Sequence, residues 1–143
     1  MRPIRILFID DDPETLTALE KIAKAKEWSA SSVKDGARIL QMVDENGVDI
    51  VASDHFLPGQ NGIELLTILK RERPNVVRVL MSSYADREMV TRAVIEGGVH
   101  AVIEKPWRIE GLVSTISAAA SLARSLRAAP APNAKSAVKA FGR

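Results

Sequence analysis

The 143-residue chain contains no cysteine, which excludes a disulfide framework, thiolate metal sites and cysteine nucleophiles. Histidine is nearly absent. His55 and His100 are the two present, and each reads more simply as a surface or strand residue than as a metal ligand or relay. Long apolar runs are missing too. The opening run Ile6-Leu7-Phe8-Ile9 stops at Asp10-Asp11-Asp12, too soon for a signal peptide, and no later stretch approaches the ~20 apolar residues of a membrane span. These absences point to a reducing, cytoplasmic setting and to no membrane partner. The formal charge of +2 suggests nucleic acid at first sight. Residues 129–143, however, carry Lys135, Lys139 and Arg143 with no acidic residue, so the preceding chain is close to neutral. It lacks the clustered Lys and Arg that track a phosphate backbone, so nucleic-acid binding is not expected of this domain.

What is present fits one domain of ordinary size, 46% hydrophobic and long enough to bury roughly two-thirds of its unfolded surface. Short apolar runs at Arg5–Asp10, Ser29–Val33, Asp49–Ser53, Arg78–Ser82 and Ala101–Glu104 predict strands. Segments of helical period follow each of them, at Pro13–Lys26, Gly36–Asn46, Gly62–Arg73, Asp86–Glu96 and Ile109–Arg127. Alternating strands and helices with near-continuous apolar strands predict an α/β fold, a doubly wound parallel sheet with helices on both faces. Asp12 and Asp86 are placed to cap the helices that follow them, and Pro13 suits a first helical position. The alanine-rich last helix is expected to pack on the sheet rather than on another subunit. From Ala128 the composition turns to Ala, Pro and Lys with little large apolar surface, so a domain over 1–128 and a flexible tail or linker over 129–143 are expected.

In such a sheet, ligands bind at the carboxyl ends of the strands. The first strand ends in Asp10-Asp11-Asp12, the third in Asp54, the fourth in Ser82-Ser83 and the fifth in Glu104-Lys105-Pro106. Two unit charges ~4 Å apart interact by ~1 kcal/mol in water and ~4 kcal/mol at an effective dielectric near 20, so clustered carboxylates repel unless a cation joins them. A hard divalent ion such as Mg²⁺ suits oxygen ligands of this kind. Beside it, an ionised aspartate is a nucleophile toward a phosphoryl group and needs no general base. The ion, a hydroxyl and the Lys105 ammonium would neutralise the equatorial oxygens of the transferring group.

These residues resemble the signatures of response-regulator receivers. The resemblance rests on Ile6-Leu7-Phe8-Ile9-Asp10-Asp11-Asp12-Pro13, then Asp54 with Leu57-Pro58-Gly59 and Asn61-Gly62, then Leu80-Met81-Ser82, then Lys105-Pro106-Trp107, and it spans residues 4–127. It implies a flavodoxin-like, five-stranded sheet of order 2-1-3-4-5. It also implies phosphorylation of Asp54, Mg²⁺ held by Asp10, Asp11, Asp54 and the backbone carbonyl of Phe56, and phosphoryl oxygens bound by Ser82 and Lys105. A cis peptide is expected before Pro106. Ser83 competes for the hydroxyl role, since counting back from Lys105 by the commonest family spacing reaches it. Glu96-Gly97-Gly98-Val99 resembles a variant with one extra residue, which favours Ser82 and recurs in receivers joined to cyclic-di-nucleotide phosphodiesterase modules. The implied partners are a sensor histidine kinase or phosphotransfer protein, an output domain or partner protein, and a homodimer. The domain would not be a turnover enzyme beyond acquiring and slowly losing its own phosphoryl group.

The chain departs from the family at Val102, where many receivers carry Tyr or Phe that turns inward on phosphorylation. A rearranged surface of the fourth helix is the expected substitute. Phe56 and Tyr84 flank the site with rings that would hinder hydrolytic water and prolong the phosphoryl lifetime. Trp28 and Trp107 read as packing residues. Two other functions compete. One is a phosphate-independent docking or dimerisation receiver. The other is a haloacid-dehalogenase-type phosphatase using Asp10, although Glu14 stands where that family has Thr or Val and no residues remain for its cap.

Overall fold

The computed structural model describes residues 2–83 and 87–128. Five strands alternate with five helices: β1 (Arg5–Ile9), α1 (Pro13–Ala25), β2 (Ser29–Val33), α2 (Ile39–Asn46), β3 (Ile50–Asp54), α3 (Gly62–Glu72), β4 (Val77–Ser83), α4 (Arg87–Ile95), β5 (Ala101–Lys105) and α5 (Ile109–Ala128). The strands form one parallel sheet of order β2-β1-β3-β4-β5, as the resemblance implied. The order in which successive strands are added reverses between β1 and β3, whose carboxyl ends carry Asp10 and Asp54.

Alternate strand residues point to opposite faces, and this divides the core. Ile6, Phe8, Ile50, Ala52, Val77, Val79, Met81 and Ile103 meet Leu16 and Leu19 of α1 and Leu112, Ile116, Ala119, Ala120 and Ala123 of α5. Leu7, Ile9, Val51 and Leu80 meet Ile39 and Val43 of α2, the Ile63–Leu69 stripe of α3 and Ala93 of α4. The alanine-rich side of α5 is therefore seated on the sheet. Trp28 and Trp107 are half-buried against the first cluster, in packing roles.

The helix starts follow local chemistry. Asp12 accepts the Glu14 amide at 3.2 Å, with Pro13 in the first turn. Asn61 caps α3 by accepting the Glu64 amide at 2.9 Å, while its own side-chain NH₂ donates to Glu64 Oε1 at 2.9 Å. The second helix begins three residues later than the sequence predicts. Asp35 accepts the Ala37 amide at 2.9 Å, and the Ile39 amide turns back to the Gly36 carbonyl at 3.1 Å. This Asx turn competes with the first helical turn. Gly36 is also pressed onto α3, since a Cβ there would lie 1.9 Å from Leu65 Cδ1. The cap expected of Asp86 and the tail expected over 129–143 lie outside the described residues.

The amino edge of the sheet has its own polar structure. Buried Asp49 accepts the Arg5 amide at 2.9 Å, two Arg2 guanidinium nitrogens at 3.2 and 3.1 Å, and Arg127 at 3.5 Å from the end of α5. Nearby, buried Arg78 donates to the carbonyls of Gly98, Pro74 and Val76 at 3.0–3.1 Å, and its backbone amide donates to His100 Nδ1 at 3.0 Å.

Candidate functional site

At the carboxyl edge, a carboxylate oxygen from each of Asp10, Asp11 and Asp54 falls in one group, all within 4.8 Å of one another. Asp10 follows β1, is 1% exposed, and is held there by its own amide donating to Val33 O at 3.1 Å. Its Oδ1 accepts the Asp12 amide at 3.0 Å, which turns the chain and leaves Asp11 exposed at the rim. Asp54 ends β3 and is half-buried, with Oδ1 accepting the His55 amide at 2.9 Å.

Lys105, at the end of β5, places Nζ 2.6 Å from Asp10 Oδ2 and 3.5 Å from Asp54 Oδ1. It is an ion-paired group of the site and not a snorkelling surface lysine. One ammonium among three carboxylates leaves the cluster short of positive charge. The carboxyl of Asp54 is also held above its ordinary range. Burial is the main cause, Lys105 pulls the other way, and Asp10 adds repulsion. Three hard oxygen donors converging where repulsion is unrelieved fit a small divalent cation, so the cluster can hold a metal. Asp12 belongs outside this set. It caps α1, accepts the Thr15 hydroxyl at 2.8 Å, and is drawn below the ordinary carboxylate range first by that bond and then by the Glu14 amide.

Ser82 sits one residue past Met81, which pairs with Asp54, and opposite Glu104, one residue before Lys105. It is 2% exposed, whereas Ser83 is exposed. Its hydroxyl donates to Ser83 O at 3.4 Å. The side chain of Phe56 is 67% exposed beside the site, with its ring edge-on to His55 at 5.0 Å between centroids. The peptide between Lys105 and Pro106 is cis, as expected. Tyr84 lies outside the described residues. Val102 and Ser82 line a cavity of about 340 Å³ with Val90 and Thr91 of α4, so the usual ring position borders open space next to α4.

The sequence assigns no structural role to three residues around this edge and its opposite. Gly62, the first residue of α3, has its amide 2.8 Å from the His55 carbonyl and its Cα against the backbone of Asp54. Asp49 and Arg78 stand at ordinary strand starts in the sequence, and the partners of Asp49, like the Gly98 and His100 partners of Arg78, lie 20–78 positions away in the chain. No local pattern marks such pairs. A charged residue inside an otherwise apolar strand run was the only available sign. The phosphatase alternative is not favoured: its nucleophile would be Asp10, which is sealed from solvent and tied to Lys105.

A family model described as the response regulator receiver domain matches residues 6–117. The nitrogen assimilation regulatory protein NtrX of Azorhizobium caulinodans is 32% identical over 110 residues, covering 76% of this chain and 24% of that protein. A cyclic di-GMP phosphodiesterase of Thermotoga maritima is 31% identical over 105 residues, covering 73% of this chain and 28% of that protein, in line with the kinship expected from the Glu-Gly-Gly-Val segment. The chain thus spans about a quarter of the length of these curated relatives. Among solved structures, the signal receiver domain of an HD domain-containing protein from Pseudomonas fluorescens Pf-5 superposes with a TM-score of 0.83 at 25% identity, covering 89% of this chain and 93% of that one. No described helix is long and apolar enough to cross a membrane.

Proposed function

The chain belongs to the response regulator receiver family, and from that premise we propose that residues 1–128 form a phosphoacceptor whose nucleophile is Asp54. The observation that carries this reading is the Asp10–Asp11–Asp54 cluster with Lys105 in contact with two of its members. An Asp54 carboxylate oxygen attacks the phosphorus of a phosphohistidine on a sensor kinase or phosphotransfer protein. The new O–P bond forms as the N–P bond breaks, and the imidazole leaves neutral when its other ring nitrogen carries the proton. Asp10, Asp11, Asp54 and the Phe56 carbonyl are the groups that would hold Mg²⁺, which when bound supplies charge neutralisation for the acceptor and the phosphoryl oxygens.

Lys105 already reaches Asp54 and can follow the new phosphate without rebuilding its own strand. The Ser82 hydroxyl donates to a phosphoryl oxygen from the end of β4. That shift draws on the cavity it shares with α4, so the exposed face of α4 becomes the surface read by an output domain, partner protein or second copy in a cytoplasmic setting. Phe56 shields the phosphoryl group from hydrolytic water.

Incubation with acetyl phosphate and Mg²⁺ tests the reading. Intact mass should rise by one phosphoryl group in wild type and not in Asp54→Ala. Absence of any gain in wild type under conditions where Mg²⁺ binds would overturn it.

A further inference from the structure

The turn between β3 and α3 ends against the residue that carries the proposed nucleophile. A Cβ built at Gly62 would lie 2.5 Å from the Asp54 carbonyl oxygen, 2.9 Å from His55 Cα and 3.1 Å from the Asp54 carbonyl carbon. All three are backbone atoms, and none can rotate away as the tip of a side chain would. Gly62 itself is buried, and its amide donates to His55 O at 2.8 Å. The same two peptide units are gripped from other sides. Ser53 Oγ donates to Asp54 O at 2.8 Å, and the His55 amide donates to Asp54 Oδ1 at 2.9 Å. The carboxylate orientation therefore follows from the peptide plane, and that plane is set by the contact with the helix.

We propose that Gly62 is a positioning residue for Asp54: the bare Cα at the head of α3 lets the helix abut the Asp54–His55 backbone and hold the carboxylate in register with Asp10, Asp11 and Lys105. The role rests on the reading of Asp54 as phosphoacceptor and metal ligand. It differs from that of Gly36, whose close neighbour is the Leu65 side chain, so a methyl group there strains packing without touching the acceptor. A methyl group at 62 must shift either the helix or the Asp54 peptide, and ~1 Å of misplacement at a reacting group can cost ~100-fold in rate.

The test compares Gly62→Ala with Leu69→Ala, which loosens the far end of the same helix at a fully buried position. Mg²⁺ affinity is read by calorimetry without any phosphodonor, and phosphorylation by acetyl phosphate is read at saturating Mg²⁺, both on folded protein. Gly62→Ala should weaken Mg²⁺ binding about tenfold and slow phosphorylation at least tenfold. Leu69→Ala should melt earlier yet keep both within twofold. Should Gly62→Ala not fold, Asn61→Ala, which releases the cap seating the first turn of α3, should lower Mg²⁺ affinity two- to threefold where Leu69→Ala does not. Wild-type values in folded Gly62→Ala, or in Asn61→Ala when Gly62→Ala is lost, overturn the proposal, as does an equal fall in Leu69→Ala. A wild-type chain that binds Mg²⁺ and takes no phosphate instead overturns the phosphoacceptor reading, and the calorimetric comparison still decides the role of Gly62.

Discussion

The two edges of the sheet use the same materials in opposite proportions. At the carboxyl edge, three clustered carboxylates, Asp10, Asp11 and Asp54, meet one ammonium, that of Lys105, which reaches Asp10 and Asp54. At the amino edge, one carboxylate, Asp49, is shared by two guanidinium groups and a backbone amide. The first arrangement is left with uncompensated negative charge and invites a cation. The second is saturated, and it joins the segment before β1 to the end of α5. A buried aspartate therefore says little about function until its partners are counted. The excess of carboxylate over cation is what separates a site from a staple.

That contrast can be broken most forcefully at the amino edge. Asp49→Ala leaves the Arg5 amide without its acceptor and releases two arginines that are themselves partly in water, and losing these charge-assisted bonds costs about 2 kcal/mol. Urea denaturation should show this loss, while the fraction of folded molecules phosphorylated by acetyl phosphate stays at the wild-type level. A metal titration probes the other side of the comparison. Mg²⁺ at tenfold its dissociation constant should stabilise wild type by ~1.4 kcal/mol through binding to the folded state alone. The increment should persist in Asp49→Ala and vanish in Asp10→Asn.

The same Asp10→Asn variant, unfolded in EDTA, should differ from wild type by less than ~1 kcal/mol: relief of repulsion from Asp11 and Asp54 offsets the weakened Lys105 pair, Lys105 keeps Asp54, and the amide oxygen keeps an acceptor for the Asp12 amide. A loss as large as that of Asp49→Ala would erase the distinction between the edges. The smallest effect belongs to His100. Its imidazole is held below the ordinary histidine pKa, first by burial of its inner face and then by Arg78, against the Arg78 amide bond, which would raise it. Much of the ring remains in water, which screens the shift. A lowered pKa means the unfolded state binds the extra proton first, so stability is full above the ordinary value of ~6.5 and falls as pH drops through the folded value. The loss should be roughly 0.5 kcal/mol after screening, seen as a shallow fall in urea midpoint that His100→Gln abolishes.

The carboxyl edge was legible in the sequence because its groups come last in apolar strands. Asp10 after Ile6–Ile9, Asp54 after Ile50–Ser53 and Lys105 after Ala101–Glu104 announce their positions by where hydrophobicity stops. The amino edge was not, since Asp49 lies just before β3 and Arg78 just inside β4, and their distant partners are set by the three-dimensional fold. Helix α2 was misjudged at its start for a local reason. Asp35 and Gly36 satisfy helical spacing, yet the Asp35 side chain captures the Ala37 amide, and the close approach of Gly36 to Leu65 appears only once α3 is in place. The strand order came from the family resemblance, because alternation alone does not rank the strands.

The Arg127–Asp49 contact has a mechanical consequence. Residues 118–128 of α5 continue the helix past the stretch matched by the family model and amount to about 16 Å of rod. Tied near its tip to Asp49, just before β3, that rod is restrained at its far end as well as along its packed face. A rotation of α5 against β5 would therefore have to stretch or break the Arg127–Asp49 contact, which ties the carboxyl end of the helix to the opposite edge of the sheet from the acidic cluster.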